Sequence, residues 1–395
     1  CMGKWKDMSV TRPTRRKDRQ GLIVVGESSG DLHGAKLVSA IRRFRPGTSF
    51  FGLGGPKMAA EGVEIFKDVT KHAAVGIIEG ILSYPRLAST FFRFVKEARR
   101  RKPDVAVLID FPEFNLRLAK RLKRAGIPVV YYICPQVWAW RTYRVRQIAR
   151  YVDKNLVILP FEERFYRRYG IDASYVGNPI LDTLSSGEGI KATLRRDLQV
   201  PENHRLIGLL PGSRRKEVKR IMPILARSAR LIKERMPNTT FVLGLASGIS
   251  EERVFREARE FPSFHISRDV YNVMKSCDQL LVASGTATLE AAIIGTPMVV
   301  VYKVSPLTWL MFVSLMRIKN YALCNIVAGS RVVPEQIQWQ AQPHVIARRS
   351  LEMFAGGNLA ATRRRLEVVR KKLGPPGASD RAASFIATYL DRRSF

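Results

Sequence analysis

A short loop of small residues is the first place in this chain where an anion could bind. Ser284, Gly285 and Thr286 stand between an apolar run at 279–283 and a helix that Gly295 closes, and a second apolar run follows. Unbroken apolar runs indicate strands that are buried on both faces, and such strand-helix-strand units are parallel and right-handed. The loop is therefore expected at the carboxyl edge of a sheet, where the unpaired N–H groups of a helix start can contact a phosphate.

Two charged residues extend this interpretation. Glu290 lies in the first turn of the helix, where its carboxylate could hold ribose hydroxyls. Arg214 lies where the loop PGSRR becomes a long helix, in a position to neutralise a diphosphate. An ordinary crossover, in which Ser and Thr only cap a helix, has the same sequence pattern.

Asp110 is the candidate for proton transfer. It ends the apolar run DVAVLID, so its carboxylate is expected at the carboxyl edge of a buried strand. A carboxylate there could accept a proton, or it could only cap the FPEFN loop that follows. Trp138 and Arg141 belong to an aromatic and basic cluster that could stack on a sugar or pair with a phosphate, although aromatic packing beside a basic helix face is commoner.

The charge balance indicates an anionic partner. The 395 residues include 67 Lys and Arg against 34 Asp and Glu, which gives a formal charge of +33. Nucleic acid, acidic lipid and a phosphorylated substrate would all suit this charge, but no RNP or KH signature occurs, so nucleic acid is not the expected partner. The five His and four Cys have no metal-ligand spacing. We therefore expect no metal, no cofactor and a reduced, cytosolic location.

Any membrane contact is expected to be peripheral. Residues 1–20 are basic without an apolar core, and the longest strongly apolar run, at 309–316, is short of the ~20 residues that cross a bilayer. The apolar segment 75–96, which a proline divides into two helical pieces, places Phe91 and Phe92 beside the basic cluster EARRRK. That combination suits an anionic membrane surface, and it equally suits a core helix with a solvated basic end.

Alternating strands and helices must position these residues. The alternation stops near residue 180 and then restarts, which predicts an α/β fold with two doubly wound, Rossmann-like domains facing a cleft. The expected organisation is a disordered basic extension at 1–20, domains at 21–180 and 181–374, and a C-terminal helix at 375–395 that could pack back on the first domain.

A series of short motifs points to a family. They are GESSGD (26–31), IDFPEFN (109–115), YYICPQVWAWR (131–141), LPFE (159–162), LLPGSR (209–214), SGTATLE (284–290), NIVAG (325–329) and VPEQIQ (333–338). In order and spacing, over about residues 21–390, they resemble the lipid-A-disaccharide synthase family, which has the GT-B glycosyltransferase architecture. The resemblance implies an inverting transfer from UDP-diacylglucosamine to lipid X, a diacylglucosamine phosphate, with release of UDP in lipopolysaccharide biosynthesis.

The resemblance also implies roles for individual residues and for the two domains. The first domain would bind the acceptor lipid and the second the UDP-sugar, on the cytoplasmic face of the inner membrane, without a metal. Asp110, with Glu27 as the second choice, would be the general base. The donor would be bound by Ser213, Arg214, Ser284, Gly285, Thr286, Glu290, Asn325, Glu335 and Gln338. The acceptor would be bound by Asn115, Trp138, Arg141, Phe91 and Phe92. The oligomeric state is not predicted.

Four positions depart from the family's usual pattern. Val75 and Gly80 are smaller than usual, which bears on acyl-chain fit, Asn178 stands where His is common, and Cys324 replaces the Pro before Asn325. Two other functions remain open: another GT-B enzyme acting on an unacylated UDP-sugar, and a basic lipid- or RNA-binding protein with a vestigial cleft. The intact set of Asp110, Arg214 and Glu290 argues against the second of these.

Overall fold

The computed structural model describes residues 19–69, 85–139, 141–185, 192–259, 263–315 and 319–391. The predicted basic extension lies outside the described residues except for its last two positions, and so does the part of the apolar segment that contains Val75 and Gly80. Among the residues described, no helix is both long and apolar enough to span a bilayer.

The first domain alternates strands and helices around one sheet. Its elements are β1 (Gln20–Val24), α1 (Ser28–Phe44), β2 (Ser49–Gly54), α2 (Pro56–Ala60), β3 (Glu64–Asp68), α3 (Pro85–Arg101), β4 (Val105–Ile109), α4 (Pro112–Arg124), β5 (Val129–Tyr132), α5 (Val145–Tyr151), β6 (Lys154–Val157), α6 (Pro160–Arg167) and β7 (Ala173–Tyr175). The seven strands pair in parallel in the order β3-β2-β1-β4-β5-β6-β7. The strand order therefore reverses between β1 and β4.

The second domain repeats this organisation. Its elements, with the helix α7 that leads into it, are α7 (Pro179–Ser185), α8 (Leu194–Asp197), β8 (Arg205–Leu210), α9 (Arg215–Arg235), β9 (Thr239–Gly244), α10 (Glu251–Glu257), β10 (His265–Ser267), α11 (Val270–Ser276), β11 (Gln279–Ala283), α12 (Thr286–Ile294), β12 (Met298–Tyr302), α13 (Pro306–Leu315), α14 (Leu323–Ala328), β13 (Glu335–Ile337), α15 (Pro343–Phe354) and α16 (Asn358–Leu373). The six strands are parallel in the order β10-β9-β8-β11-β12-β13, with the reversal between β8 and β11. The predicted architecture of two doubly wound α/β domains is confirmed.

Both faces of the first sheet are covered. Along β1, Leu22 and Val24 pack against α3 and α4, while Ile23 and Val25, on the other face, pack against α1 and α17 (Ala378–Asp391). Burial on both faces explains why these strands read as continuous apolar runs. The C-terminal helix α17 thus belongs to the core of the first domain.

The chain crosses between the domains twice, and polar contacts join the two crossings. Asp182 on α7 accepts hydrogen bonds from the backbone N–H groups of Gly377, Ala378 and Ser379, at 2.6, 3.1 and 2.9 Å. Arg381 donates to the carbonyl oxygen of Val176 at 2.8 Å. Because Asp182 on the first crossing satisfies N–H groups at the start of α17, it holds the two crossings together.

The position of Asp31 directly after GESSG is typical of an N-cap, but Asp31 does not cap its own helix. Helix α1 begins at Ser28, so Asp31 lies inside its first turn and is buried. Its carboxylate accepts hydrogen bonds from the backbone N–H groups of Gly55, Lys57 and Met58, each within 3.1 Å. Asp31 therefore caps α2, a helix that begins more than twenty residues later in the chain.

Candidate active site

The predicted site residues lie at the reversal points of the two sheets. Glu27 follows β1 and Asp110 follows β4, the two strands between which the order of the first sheet reverses. Arg214 follows β8 and Ser284 follows β11, the corresponding strands of the second sheet. In open α/β sheets, ligands bind in the crevice at such points.

An ion pair joins the two reversal points. Arg214 Nη2 lies 3.7 Å from Glu27 Oε1, with the Arg214 side chain 63 % exposed and that of Glu27 39 % exposed. The carboxyl edges of the two sheets therefore face one another, and these side chains meet in the crevice between them. An ion pair this exposed contributes only ~0–1 kcal/mol, so a better anion can displace the carboxylate from Arg214.

Packing holds the Glu27 loop against the Asp110 loop. A Cβ atom on Gly26 would lie 2.2 Å from the Phe111 ring, so only glycine lets the two loops approach this closely. Phe111 in turn stacks on Phe114 of α4 with ring centroids 5.3 Å apart. The first loop is thereby fixed beside the group that follows β4.

Asp110 occupies a strained and heavily supported turn. Asp110 and Phe111 both have left-handed backbone angles, with φ of 46° and 49°, a conformation that costs ~1–3 kcal/mol per non-glycine residue. Two donors hold the carbonyl oxygen of Asp110: Asn115 Nδ2 at 2.7 Å and the Tyr131 hydroxyl at 2.6 Å. Strain that the surrounding structure holds in this way is typical of functional sites.

The electrostatic environment makes Asp110 a stronger base than an ordinary aspartate. Asp110 keeps solvent access in the crevice, but the surrounding protein removes enough water from its carboxyl group to raise its pKa from 3.8 to about 6. The negative charge of Glu27 raises this pKa further, while the Phe111 N–H group and Arg214 oppose the shift. Asp110, Glu27 and Arg214 therefore form one electrostatic unit.

The loop before α12 is open to a ligand. Gly285 and Thr286 are exposed, and the Ser284 hydroxyl donates to the Tyr321 carbonyl oxygen at 3.0 Å. Glu290 lies on the same helix and accepts a hydrogen bond from the Tyr271 hydroxyl at 3.2 Å. Burial raises the pKa of Glu290. The loop thus has the free backbone that the sequence predicts, whereas Glu290 already has a partner.

Glu217 supports the Arg214 loop, and sequence analysis did not identify it. Its Oε2 atom accepts the Ser213 N–H group at 3.1 Å, and burial raises its pKa. A Cβ atom on Gly212, where φ is +108°, would lie 2.1 Å from that same oxygen. The sequence does show Glu217 as an acidic residue in the first turn of a predicted helix, and such a residue can bind free backbone N–H groups.

Three residues expected to bind the donor are buried and have hydrogen-bond partners within the protein. Asn325 donates to the Val333 carbonyl oxygen and to Glu335, and its own oxygen accepts the N–H groups of Val332 and Val333. Glu335 also accepts the N–H groups of Tyr321 and Ala322. Gln338 exchanges hydrogen bonds with both backbone groups of Val304. The polar atoms of Asn325, Glu335 and Gln338 thus have partners within the protein, and direct contact of these residues with the donor stays a prediction.

The predicted acceptor residues divide in a similar way. Asn115 is buried and holds the Asp110 turn. Arg141 pairs with Glu113, which also binds Arg144 at 2.6 Å. Trp138 donates to buried Glu162 at 2.9 Å and lies edge-on against Phe161. Trp138 and Arg141 remain partly exposed, so both can still present a surface to a ligand.

Phe91 is not a membrane contact. It is 4 % exposed and packs against Phe114 in the core, and Phe94 is fully buried, whereas Phe92 is 54 % exposed. Adjacent residues of a helix point in different directions, so the three aromatic side chains cannot share one surface. Part of the basic cluster is also neutralised within the protein, because Arg101 forms ion pairs with Glu64 and Glu97.

No group of three or more His, Cys, Asp or Glu side chains in the described part of the chain could hold a metal ion. On the side of the second domain, one guanidinium and the open helix start can bind an anion.

Comparisons with known proteins agree with the motifs. The family model described as lipid-A-disaccharide synthetase matches residues 22–387. A lipid-A-disaccharide synthase of Geobacter metallireducens is 41 % identical over 386 residues, covering 97 % of this chain and 99 % of the relative.

Solved structures resemble the fold at low sequence identity. A UDP complex of MnaA from S. aureus has a TM-score of 0.66 at 11 % identity and covers 94 % of this chain and 97 % of its own. The calicheamicin glycosyltransferase CalG4 has a TM-score of 0.61 at 17 % identity and covers 96 % and 100 %. These similarities establish the GT-B-like fold.

Proposed function

The chain belongs to the lipid-A-disaccharide synthetase family and is a glycosyltransferase of lipid A biosynthesis, and we propose that it joins UDP-diacylglucosamine to lipid X. The observation that carries the proposal is the meeting of Glu27, Asp110 and Arg214 between the two sheets. A base from one domain and a diphosphate-binding cation from the other are what a transfer between two bound sugars requires.

The bond changes follow from this arrangement. The primary hydroxyl oxygen of lipid X attacks the anomeric carbon of the donor, and the bond from that carbon to the diphosphate oxygen breaks. The electron pair leaves with UDP, and the configuration at the anomeric carbon inverts. The hydroxyl proton passes to the carboxylate of Asp110, which must be ionised and therefore works above its pKa of about 6.

Arg214 and the start of α12 serve the leaving group. Negative charge grows on the diphosphate as the bond breaks, and a guanidinium with free backbone N–H groups can stabilise it without rearrangement. Glu27 has a supporting role in this proposal: its charge raises the proton affinity of Asp110, and it holds Arg214 before the nucleotide arrives. Asn115 positions the Asp110 turn.

Residues on the two sides of the crevice can be assigned to the two substrates. We propose that Ser213, Ser284, Gly285, Thr286 and Glu290 line the donor side, and that Trp138 and Arg141 line the acceptor side. Because both substrates carry acyl chains, the enzyme works as a peripheral protein at an anionic membrane surface, which we assign to the cytoplasmic face of the inner membrane.

The test is the release of UDP from UDP-diacylglucosamine with and without lipid X. Release that depends on lipid X, together with formation of the disaccharide, is the expected result. Equal release without lipid X, or with a water-soluble acceptor in its place, would exclude this reaction and favour an enzyme acting on the UDP-sugar alone. Asp110→Asn is the matched control, since it preserves the shape of the side chain but cannot take up the proton.

A further inference from the structure

Helix α13 is an apolar element at the surface of the second domain. No charged residue lies between Lys303 and Arg317, and Ser305 begins the helix by pairing with the Thr308 N–H group and hydroxyl. Leu310 is 69 % exposed and Val313 is 54 % exposed. They are three residues apart, so they lie on the same side of the helix.

A tryptophan extends this apolar surface. Gln338 binds both backbone groups of Val304, and its own N–H group donates to the Tyr302 carbonyl oxygen at 2.7 Å. The next residue, Trp339, is 67 % exposed and therefore emerges beside the start of α13. We call Pro306, Leu310, Val313 and Trp339 the α13 face. Tryptophan is enriched at membrane interfaces because its ring is apolar while its N–H group is polar.

Cations flank the α13 face. Lys303 precedes the helix and Lys319 follows it, and neither side chain has a hydrogen bond or an ion pair to another residue that the structure describes. The protein as a whole carries a formal charge of +33. The uncharged apolar helix suits the acyl region of a bilayer, and the flanking lysines of this strongly basic protein suit anionic headgroups.

An aromatic cluster connects this helix to the crevice. Trp309 packs on Tyr321 with ring centroids 5.8 Å apart, and Tyr321 stacks on Tyr302 at 6.4 Å. Burial raises the pKa of Tyr302, and the nearby charges of Glu217 and Arg214 also act on it, in opposite directions. The backbone of Tyr321 also holds Ser284, which begins the loop before α12. A membrane in contact with α13 would therefore lie next to the donor side of the crevice.

We propose that the α13 face inserts into the interface of an anionic phospholipid bilayer. The inference deepens the proposed function and rests on it, because acylated substrates must reach the crevice from a membrane. It assigns the contact to the second domain, whereas the aromatic residues of α3 are mostly buried in the first.

The experiment is sedimentation with vesicles of phosphatidylcholine alone or mixed with phosphatidylglycerol. The parent chain should bind the anionic vesicles, and Leu310→Glu with Val313→Glu should weaken that binding about tenfold or more, because two inserted apolar groups are replaced by charges. The matched control is Phe255→Glu with Val368→Glu, which places the same charge change at side chains that are 45 % and 43 % exposed on α10 and α16. The control should bind as the parent chain does.

Two results would overturn the proposal. One is parent-level vesicle binding by the α13 variant, above all if Phe92→Glu on α3 abolishes binding. The other is absence of binding by the parent chain to either type of vesicle. UDP affinity, measured on every variant, reports the fold, and Trp339→Ser provides a milder second variant if the double substitution impairs folding. Turnover in detergent micelles tests the proposed function separately, since substrates dispersed in micelles do not require a bilayer.

Discussion

Replacement of Arg214 by alanine should weaken UDP binding without affecting the fold. The side chain is mostly exposed and its ion pair with Glu27 is 3.7 Å long, so little of the structure depends on it. A hydrogen bond to a charged group contributes ~1.5–3 kcal/mol. Binding of UDP must first break the exposed ion pair, and this cost reduces the gain from the new hydrogen bond by ~0–1 kcal/mol. The difference, ~0.5–3 kcal/mol, corresponds to about two- to 150-fold weaker binding.

Glu27 supplies the second half of this prediction. If Glu27 competes with the diphosphate for Arg214, then Glu27→Gln should strengthen UDP binding, by no more than about fivefold because an exposed pair is weak. The gain should shrink when Arg214 is already alanine, since no competition remains. A double-mutant cycle on UDP affinity therefore isolates the interaction between the two side chains.

Titration calorimetry on the four proteins of the cycle, with Arg215→Ala as the control, is the measurement. Arg215 is the neighbouring exposed arginine at the start of α9, so its substitution removes the same charge from almost the same place. Equal UDP affinity in a folded Arg214→Ala protein would remove Arg214 from the site. An equal loss in Arg215→Ala would mean that only the overall charge matters, and weaker binding in Glu27→Gln would contradict the competition.

Other substitutions test the remaining parts of the site. Asp110→Asn should lower turnover by about two to four decades at near-normal UDP affinity; near-normal turnover, with a large loss in Glu27→Gln instead, would transfer the role of the base to Glu27. The pH profile of kcat/KM should fall on the acid side near pH 6, because Asp110 must lose its proton, and Glu27→Gln should move that fall to lower pH by removing a like charge. Asn325→Ala should lower the free energy of unfolding by ~2–5 kcal/mol, because it leaves buried backbone groups unpaired; a normal melting temperature with lost UDP affinity would make Asn325 a ligand contact after all. Burial raises the pKa of Glu162 from 4.5 to about 7, so the folded state binds this proton more tightly, and the stability it confers should fall as pH rises across that window; Glu162→Gln should flatten the dependence in denaturation curves.

The strands and the sheet edges could be predicted from the sequence because local patterns determine them. Runs such as 105–109 and 279–283 are buried on both faces, which produces unbroken apolar segments, and the residue that follows each run must then lie at a carboxyl edge. The positions of Asp110, Arg214 and the Ser284 loop follow from this pattern. It could not predict that Glu27 and Arg214 meet, because their contact depends on how the two domains face each other.

A sequence motif does not distinguish ligand binding from support of the backbone. Asn325 and Glu335 belong to family motifs, and the polar atoms of each form hydrogen bonds with loop residues farther along the chain. Asp31 caps a helix outside its own motif for the same reason. The burial of Phe91 could have been found, since Phe91, Val95 and Ala98 have the spacing of a buried helical stripe and Phe92 does not.

The placement of Glu27 between Asp110 and Arg214 has a chemical consequence for the transfer. Arg214 alone would lower the pKa of Asp110 and make it a weaker base, whereas desolvation and the Glu27 charge act in the opposite direction and prevail, with the pKa at about 6. The carboxyl group therefore holds a proton more tightly than an ordinary aspartate, and at neutral pH the carboxylate remains mostly ionised. Asp110 is therefore a stronger base without being protonated at rest. When the diphosphate takes Arg214 from Glu27, the opposing cation is neutralised, so the proton affinity of Asp110 should rise further once the donor is bound. The base would then be strongest in the complex that needs it.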